Sequence, residues 1–476
     1  MMAKKKSYLF ILGGGATVLV LAVVIFALTF NINSYKPRIE AIASVATGMD
    51  VKINGKIGLS FFPFGLSVKD IHVAKNGNKI LSLENLKLGA ELMPLLKKQL
   101  KVTSCELVKP SITILKETNG KYNFEGTERK SAEKEPGAAF TLNELKMSNA
   151  LLVYLDKKTG EKTELEDFNL DIKDFLIGDI SEDMIKNVSF TGNMDCKEVR
   201  KSTLKIDNLK SPIKMENGVI YLNPLTMDIF GSKGEGDATV DKSKNDAVYK
   251  INLKVSKMDF ERLEESFSTK KIIGGKGDLY ASLTMKEKGS RNLMSSLDGT
   301  FSLRGDNLVI YTMDLDKVLS SFETSQQFNL VDIGAFFIAG PLSTVALKGY
   351  RYGEVYNQTR GGQGTITKLI SHWKIKDGVM DAADCALATR HNRVALKGKL
   401  NLVSERYENV IVALLDDKGC AKFKQSIRGS FGNPQVGAVS AVASIAAPIF
   451  DLYRKAKRIV QSGNCEIFYD GSVQQP

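Results

Sequence analysis

The sequence predicts a mainly β protein. One N-terminal transmembrane helix is followed by an elongated antiparallel β-sheet body, expected to curl into a groove, with a few short amphipathic helices. Three observations carry this. An uncharged apolar run near the N-terminus is long enough to cross a bilayer. Alternation of apolar and polar residues with period two recurs from residue 51 almost to the C-terminus. Asn-Gly, Asp-Gly and proline-containing turn signals separate these segments and leave almost no room for crossover helices.

The apolar run extends from Tyr8 to Phe30 without a charged side chain. A helix of that length covers about 35 Å, enough for a hydrocarbon core of about 30 Å. Lys4, Lys5 and Lys6 precede it and place the N-terminus on the cytoplasmic side; Lys36 and Arg38 weaken that asymmetry without reversing it. A cleaved signal peptide has a shorter apolar core and a small-x-small cleavage site. The run here ends in Leu28-Thr29-Phe30-Asn31, so an uncleaved anchor is expected. Gly13-Gly14-Gly15 lies inside the run and is no phosphate loop.

The chain has 476 residues and a formal net charge of +12. The excess is spread along the sequence, without the basic block or arginine stripe of a nucleic-acid binder, so no nucleic acid is expected as a partner. The five cysteines form no CxxC or Cys/His cluster, which leaves structural zinc without ligands. Cys420 and Cys465 are the candidate disulfide if the body faces an oxidising compartment. Cys105, Cys196 and Cys385 read as buried strand residues.

After the anchor comes a short amphipathic helix. Ser34 is its candidate cap, Pro37 suits its first turn, Ile39, Ile42 and Val45 or Ala46 form its apolar stripe, and Gly48 ends it. Alternation then sets in: Val51 and Ile53, then Ile57, Leu59 and Phe61, then Leu66 and Val68, then Ile71 and Val73. Asn54-Gly55 and Pro63-Phe64-Gly65 read as turns between them. More strands follow, interrupted at Met93-Pro94-Leu95-Leu96 and by a polar stretch without periodicity at 127–138. Gly299 to Ile310 reads as a hairpin, and Asp314 to Phe322 as a short helix. Ala335 to Pro341 is an apolar run, either a buried helix end or a membrane-touching loop. Val439 to Val460 reads as a helix divided at Pro448, with Arg454, Lys455, Lys457 and Arg458 near its end; a plug on a sheet is preferred to a helix lying on a membrane. The organisation expected is 1–33 cytoplasmic tip and anchor, 34–126 first β unit, 127–138 linker, 139–310 middle β unit, and 311–476 last β unit with its terminal helix.

A search for chemistry finds little. His72, His372 and His391 are isolated, and no HExxH, GxSxG or Walker-type loop is present. The glycine groups at Gly231–Gly236, Gly274–Gly277 and Gly361–Gly364 read as hairpin turns, and Glu264-Glu265 as helix-surface charges. No catalytic, metal or cofactor residue is nominated, and no enzyme is expected. What remains is the apolar face of an antiparallel sheet, which must be buried or bind something apolar. Its candidate lining is Val51, Ile53, Ile57, Leu59, Phe61, Leu66, Val68, Ile71 and Val73. A sealed core and an open groove that holds lipid tails are both compatible with period two.

The ordered series Ala46-Thr47-Gly48-Met49-Asp50-Val51 through Phe62-Pro63, Leu66-Ser67-Val68-Lys69-Asp70-Ile71-His72-Val73, Met93-Pro94-Leu95-Leu96, Leu107-Val108-Lys109-Pro110-Ser111-Ile112 and Gly120-Lys121-Tyr122-Asn123-Phe124 resembles the opening of AsmA-family proteins. The family usually has tryptophan at the position of Phe124. The likeness is good over residues 1 to about 125, weak through the middle, and recognisable again around Ala335–Gly340, Gly378–Thr389 and Gly419–Pro434. The resemblance implies a protein of the Gram-negative inner membrane with a β-rich periplasmic body and no catalytic residues. It also implies a role in outer-membrane assembly and homeostasis, with phospholipid carried along a groove as in larger chorein-like relatives. Membrane lipids, and outer-membrane or periplasmic proteins, are the implied partners. A non-catalytic scaffold or chaperone-like factor in outer-membrane protein assembly is the alternative.

Overall fold

The structure, a computed structural model, describes residues 32–91, 102–124, 140–177, 186–244, 246–266, 271–287, 293–311, 313–319, 330, 333, 337, 362–441 and 467–474. The predicted anchor from Tyr8 to Phe30, the segments 93–96 and 127–138, most of 335–341, residues 442–460 of the predicted terminal helix and Cys465 lie outside them; the predicted start of that helix is instead a short strand, Ser440–Ala441, because it pairs with the strand Ala421–Ser430. Among the described residues no helix is long and apolar enough to cross a membrane. The chain divides into two compact units, residues 1–184 with 189–199, and residues 185–188 with 200–476. The division falls inside the predicted middle unit.

The first unit opens with a 3₁₀ turn at Ile32–Tyr35 and helix α1, Lys36–Thr47, which ends at Gly48 as expected. Tyr35, not Ser34, occupies the cap position, and no side chain caps the helix there. Strands β1 (Asp50–Ile53), β2 (Ile57–Phe61), β3 (Phe64–Lys75), β4 (Asn78–Ala90), β5 (Val102–Val108), β6 (Ser111–Lys116), β7 (Phe140–Asp156) and β8 (Lys162–Ile177) follow, and β9 (Val188–Lys201) straddles the division. Asn54-Gly55 is not a hairpin turn. β1 and β2 run on in one line, both antiparallel to β3, with Asn54–Lys56 as an interruption. A Cβ on Gly55 would lie 2.5 Å from the Lys69 carbonyl oxygen, so the close approach of β3 requires glycine there.

The sheet also departs from pure antiparallel order. β5 and β6 form a second interrupted line, antiparallel to β4 but parallel to β7. The chain between β6 and β7, residues 117–139, is long enough for the crossover that a parallel pair needs.

The second unit comprises β10 (Leu204–Glu216), β11 (Val219–Ile229), β12 (Ser232–Asp241), β13 (Val248–Asp259), helix α2 (Phe260–Glu265), β14 (Ile273–Gly274), β15 (Lys276–Lys286), β16 (Asp298–Ile310), β17 (Gly364–Lys376), β18 (Val379–Ala388), β19 (Arg393–Asn401), β20 (Arg406–Leu415), β21 (Ala421–Ser430), β22 (Asn433–Val436) and β23 (Ser440–Ala441). Its pairings are antiparallel throughout. The segment Gly299–Ile310 is one strand of this sheet and not a hairpin. Gly305 stays in the strand because a Cβ there would press on Leu308 and Phe260, which close over it.

Over β16 to β21 one face of this sheet is a sealed core, whereas Leu204, Ile206, Leu209 and Leu253, which pack against it, stay half-buried. Phe301, Leu303, Trp373, Val412 and Phe423 lie fully inside it with Leu315, Leu319, Leu330, Ile333 and Phe337. Residues 315–319 are helical, within the predicted Asp314–Phe322. Asp316 pins this helix to the turn after β18. Its carboxylate accepts from Thr389 Oγ1, from Asn392 Nδ2 at 3.0 Å and from the His391 amide at 3.3 Å. Burial opposes its ionisation, but these bonds outweigh burial and hold its pKa below the usual carboxylate range. The stability it contributes is therefore present above that range and lost as pH falls through the lowered value. Asp316→Ala is expected to destabilise the protein by about 1–3 kcal/mol at neutral pH, because Thr389 and Asn392 lose their acceptor. Urea titrations should show the gap to wild type narrowing below about pH 4; a gap independent of pH would show that the charge is not the source.

The opposite face of β17 to β21 carries Ile370, Ala386, Ala388, Ala395, Ala413 and Ala421, and the C-terminal residues Phe468, Tyr469 and Val473 pack over these small side chains. Arg393 fastens that segment, donating to the Val473 and Asp416 carbonyls at 3.1 and 3.0 Å. Cys420 is disulfide-bonded, whereas Cys105, Cys196 and Cys385 are free thiols. Cys196 and Cys385 are buried as predicted, while Cys105 is half-buried.

Candidate functional site: an apolar face in the first unit

The candidate lining residues other than Phe61 project from one face, and strand register extends that face well beyond them. One transverse row runs Ile57, Val68, Leu86, Leu107, Met147, Leu170 from β2 to β8. A second runs Leu59, Leu66, Leu88, Cys105, Leu145, Ile172. On the other side of the interruption, Val51, Val73, Leu81, Ile112, Leu152 and Leu165 form a third. Between the first two rows the reverse face is polar. Lys87, Glu106, Lys146 and Asp171 stand opposite one another on successive strands with alternating sign. Lys87 Nζ lies 3.0 Å from Glu106 Oε2, and Lys146 Nζ 4.0 Å from Asp171 Oδ2. This ladder disfavours a one-residue slip, which would also turn the apolar rows outward.

The rows stay on one face because the strands change phase together. In β3 the apolar residues are even-numbered through Val68 and odd-numbered from Ile71; Asp70 between them has φ 53°. Lys109 between β5 and β6, Asn149 in β7 and Asp167 in β8 have φ 48°, 55° and 50° and do the same for their strands. Each reverses the alternation at a single left-handed residue, and between β7 and β8 the register shifts there as at a bulge. Asp and Asn tolerate this left-handed conformation better than branched residues do, which suits them to three of these four positions.

Burial divides this face. Val51, Ile53, Ile57, Val68, Ile71 and Leu83 form a small closed cluster against which Ala43 of α1 packs. Leu59, Leu66 and Val73 are half-buried; the side chain of Phe61 lies outside the described residues. Farther along the rows Leu86, Leu88, Leu107, Leu145, Met147 and Leu170 also remain half-buried, so their apolar surface is only partly covered. From first strand to sixth a row measures about 24 Å at about 4.8 Å per strand, and neighbouring rows lie about 7 Å apart.

Helix α1 is docked in an unusual orientation. Its polar side chains turn toward the sheet: Glu40 Oε1 accepts from the Ile53 amide at 2.6 Å, and Ser44 Oγ from the Val51 amide at 2.9 Å. The apolar stripe faces away, with Ile42 61% and Val45 85% exposed.

Catalytic groupings are scarce here. Among the described residues no group of three or more His, Cys, Asp or Glu side chains could hold a metal ion. His72 Nε2 lies 2.8 Å from Asp70 Oδ1 on the exposed surface. Glu264, read from sequence as a surface charge, instead accepts from the Ile272 and Ile273 amides at 2.7 and 3.3 Å and clasps β14. Burial raises its pKa.

A transmembrane-type N-terminal sequence, an α1 helix with its apolar side outward and a bulged sheet with one partly uncovered apolar face coincide in the first 200 residues. The AsmA family model matches residues 2–198 and again 177–385. The chain belongs to the AsmA family. The match includes the middle of the chain, where the sequence resemblance is weak, and the two matched segments meet near the division between the units. No curated protein and no solved structure matches this AsmA-family chain.

Proposed function

We propose that this protein is held in the inner membrane by Tyr8–Phe30, with its body in the periplasm, and that it binds or transfers phospholipid between inner and outer membrane. In this reading it supports outer-membrane assembly and homeostasis, without catalysis or a cofactor. The observation that carries the reading is the set of half-buried apolar rows in the first unit. Half of a bilayer core is about 15 Å deep, so a row of about 24 Å is long enough for an extended acyl chain to lie along it. Each methylene taken from water there contributes about 0.8 kcal/mol, so no specific polar contact is needed.

The full chain purified in mild detergent should carry phospholipid visible by native mass spectrometry and thin-layer chromatography. Its absence in every detergent, together with stable crosslinked protein partners, would favour the scaffold reading instead.

The outward stripe of α1 fits the proposed topology, because α1 begins only a few residues after the predicted span. Ile42 and Val45 then meet the outer surface of the bilayer. The indole introduced by Val45→Trp is expected to be quenched by brominated phospholipid in proteoliposomes, while Trp373, the single native tryptophan, is buried and is not quenched. Water-like, unquenched emission from the introduced indole would rule this contact out.

A further inference from the structure

The second unit carries a depression, lined by several polar and charged side chains, that is unrelated to the apolar rows. It lies on the sheet face opposite the sealed core, has a cavity volume of about 520 Å³, and is lined in part by Lys254, Tyr280, Ser302, Arg304 and His372. Strand register builds it. Lys254, Tyr280, Ser302 and His372 stand opposite one another in a single row across β13, β15, β16 and β17. Arg304 is two residues along β16 from Ser302 and so shares its face.

Two features of this row are unexplained by folding alone. Ser302 is on the polar face yet only 5% exposed, and its Oγ has no hydrogen-bond partner among the described residues. Directly opposite, His372 Nδ1 is likewise buried without a partner. A buried hydroxyl and a buried ring nitrogen left unpaired are each costly, and such groups commonly await a ligand or water. Two cations adjoin them: no carboxylate pairs with Arg304 or Lys254 among the described residues, and Lys254 Nζ sits 6.0 Å from the centroid of the Tyr280 ring.

Two carboxylates are close: Glu235, opposite Lys254 on β12, is itself part of the lining, and Asp384 lies opposite His372 on β18. Asp384 is engaged from the other side by Tyr469 Oη at 2.5 Å and by Ser472. Lys374, two residues from His372, adds a further positive charge. Burial, assisted by Arg304 and Lys374, keeps the His372 pKa below its usual value, so the ring is neutral at pH 7 and offers one N–H and one lone pair.

We infer that this depression binds a phosphate oxyanion, with Arg304 and Lys254 supplying charge and the Ser302 hydroxyl and His372 ring supplying hydrogen bonds. A guanidinium fork beside a hydroxyl donor is the usual chemistry of phosphate recognition. The phosphate belongs either to a free anion or to a glycerophosphodiester headgroup, and the test separates them.

The full chain in detergent, with isotope-labelled histidine, gives side-chain resonances from only three histidines, and His372→Gln assigns the relevant one. Inorganic phosphate and glycerophosphoethanolamine are titrated separately. A saturable shift of the His372 signal is expected with at least one of them, and which one identifies the source. Arg304→Gln and Ser302→Ala, each checked for native circular dichroism, should weaken that binding about tenfold or more. Lys250→Gln, farther along β13, should leave it unchanged. Absence of any His372 shift up to about 50 mM of both probes overturns the inference. So does a shift that survives in Arg304→Gln, since the anion would then bind elsewhere.

Discussion

Leu107→Asp and Met147→Asp are each expected to leave the first unit folded and to abolish its bound phospholipid. Both side chains are half-buried neighbours in the same row, opposite one another on β5 and β7. In the unliganded sheet a carboxylate there keeps part of its hydration, so folding tolerates it. When an acyl chain covers the row, that hydration is lost without compensation, and affinity should fall by at least about tenfold. Thr113→Asp on the reverse face is the control, because it changes charge by the same amount without touching the rows. Val68→Asp behaves differently. Val68 is in the closed cluster beneath α1, and an unpaired charge there should cost about 3 kcal/mol or more and unfold the cluster. Circular dichroism and lipid content measured on all four variants decide the matter. Normal lipid content in folded Leu107→Asp and Met147→Asp would refute the groove.

The second large effect belongs to the sealed core. Phe337→Ala is expected to destabilise the second unit by about 3–5 kcal/mol. Phe337 is fully buried, and its carbonyl accepts from Ser371 Oγ and from Trp373 Nε1 at 3.3 Å, so its backbone is tied to β17. Trp373 is the chain's single tryptophan, and its fluorescence reports this site directly. The variant should show a lower urea midpoint by tryptophan emission. A midpoint equal to wild type would mean that Phe337 is not part of the core. The contrast is local: β16 to β21 are covered by Leu315, Leu319, Leu330, Ile333 and Phe337, whereas Leu204, Ile206 and Leu253 nearer the start of the second unit are half-buried like the rows of the first.

Much of this is legible in the residues. Period two places Val51 and Ile53, or Leu66 and Val68, on one side of a strand whatever the rest of the fold does. The slip of phase between Val68 and Ile71 is equally visible, and Asp70, with φ 53°, lies within it. The turn assigned to Asn54-Gly55 and the hairpin assigned to Gly299–Ile310 fail for a shared reason. Glycine serves both a turn and a close approach of neighbouring backbone or side chains, and only the partner strand distinguishes them. The depression around Ser302 and His372 gives no sequence signal, since its residues lie on strands separated by up to 118 positions between Lys254 and His372.

What the sequence determined by itself was local: strand phase, apolar faces, buried Cys196 and Cys385, and AsmA-type motifs near the N-terminus. These follow from alternation and backbone chemistry within a few residues. The tertiary structure alone decided which apolar faces are covered, because covering depends on segments distant in sequence. It sealed the face of β16 to β21 under Leu315, Leu319, Leu330, Ile333 and Phe337, placed the polar side of α1 against the sheet, and left Leu107 and Met147 partly open.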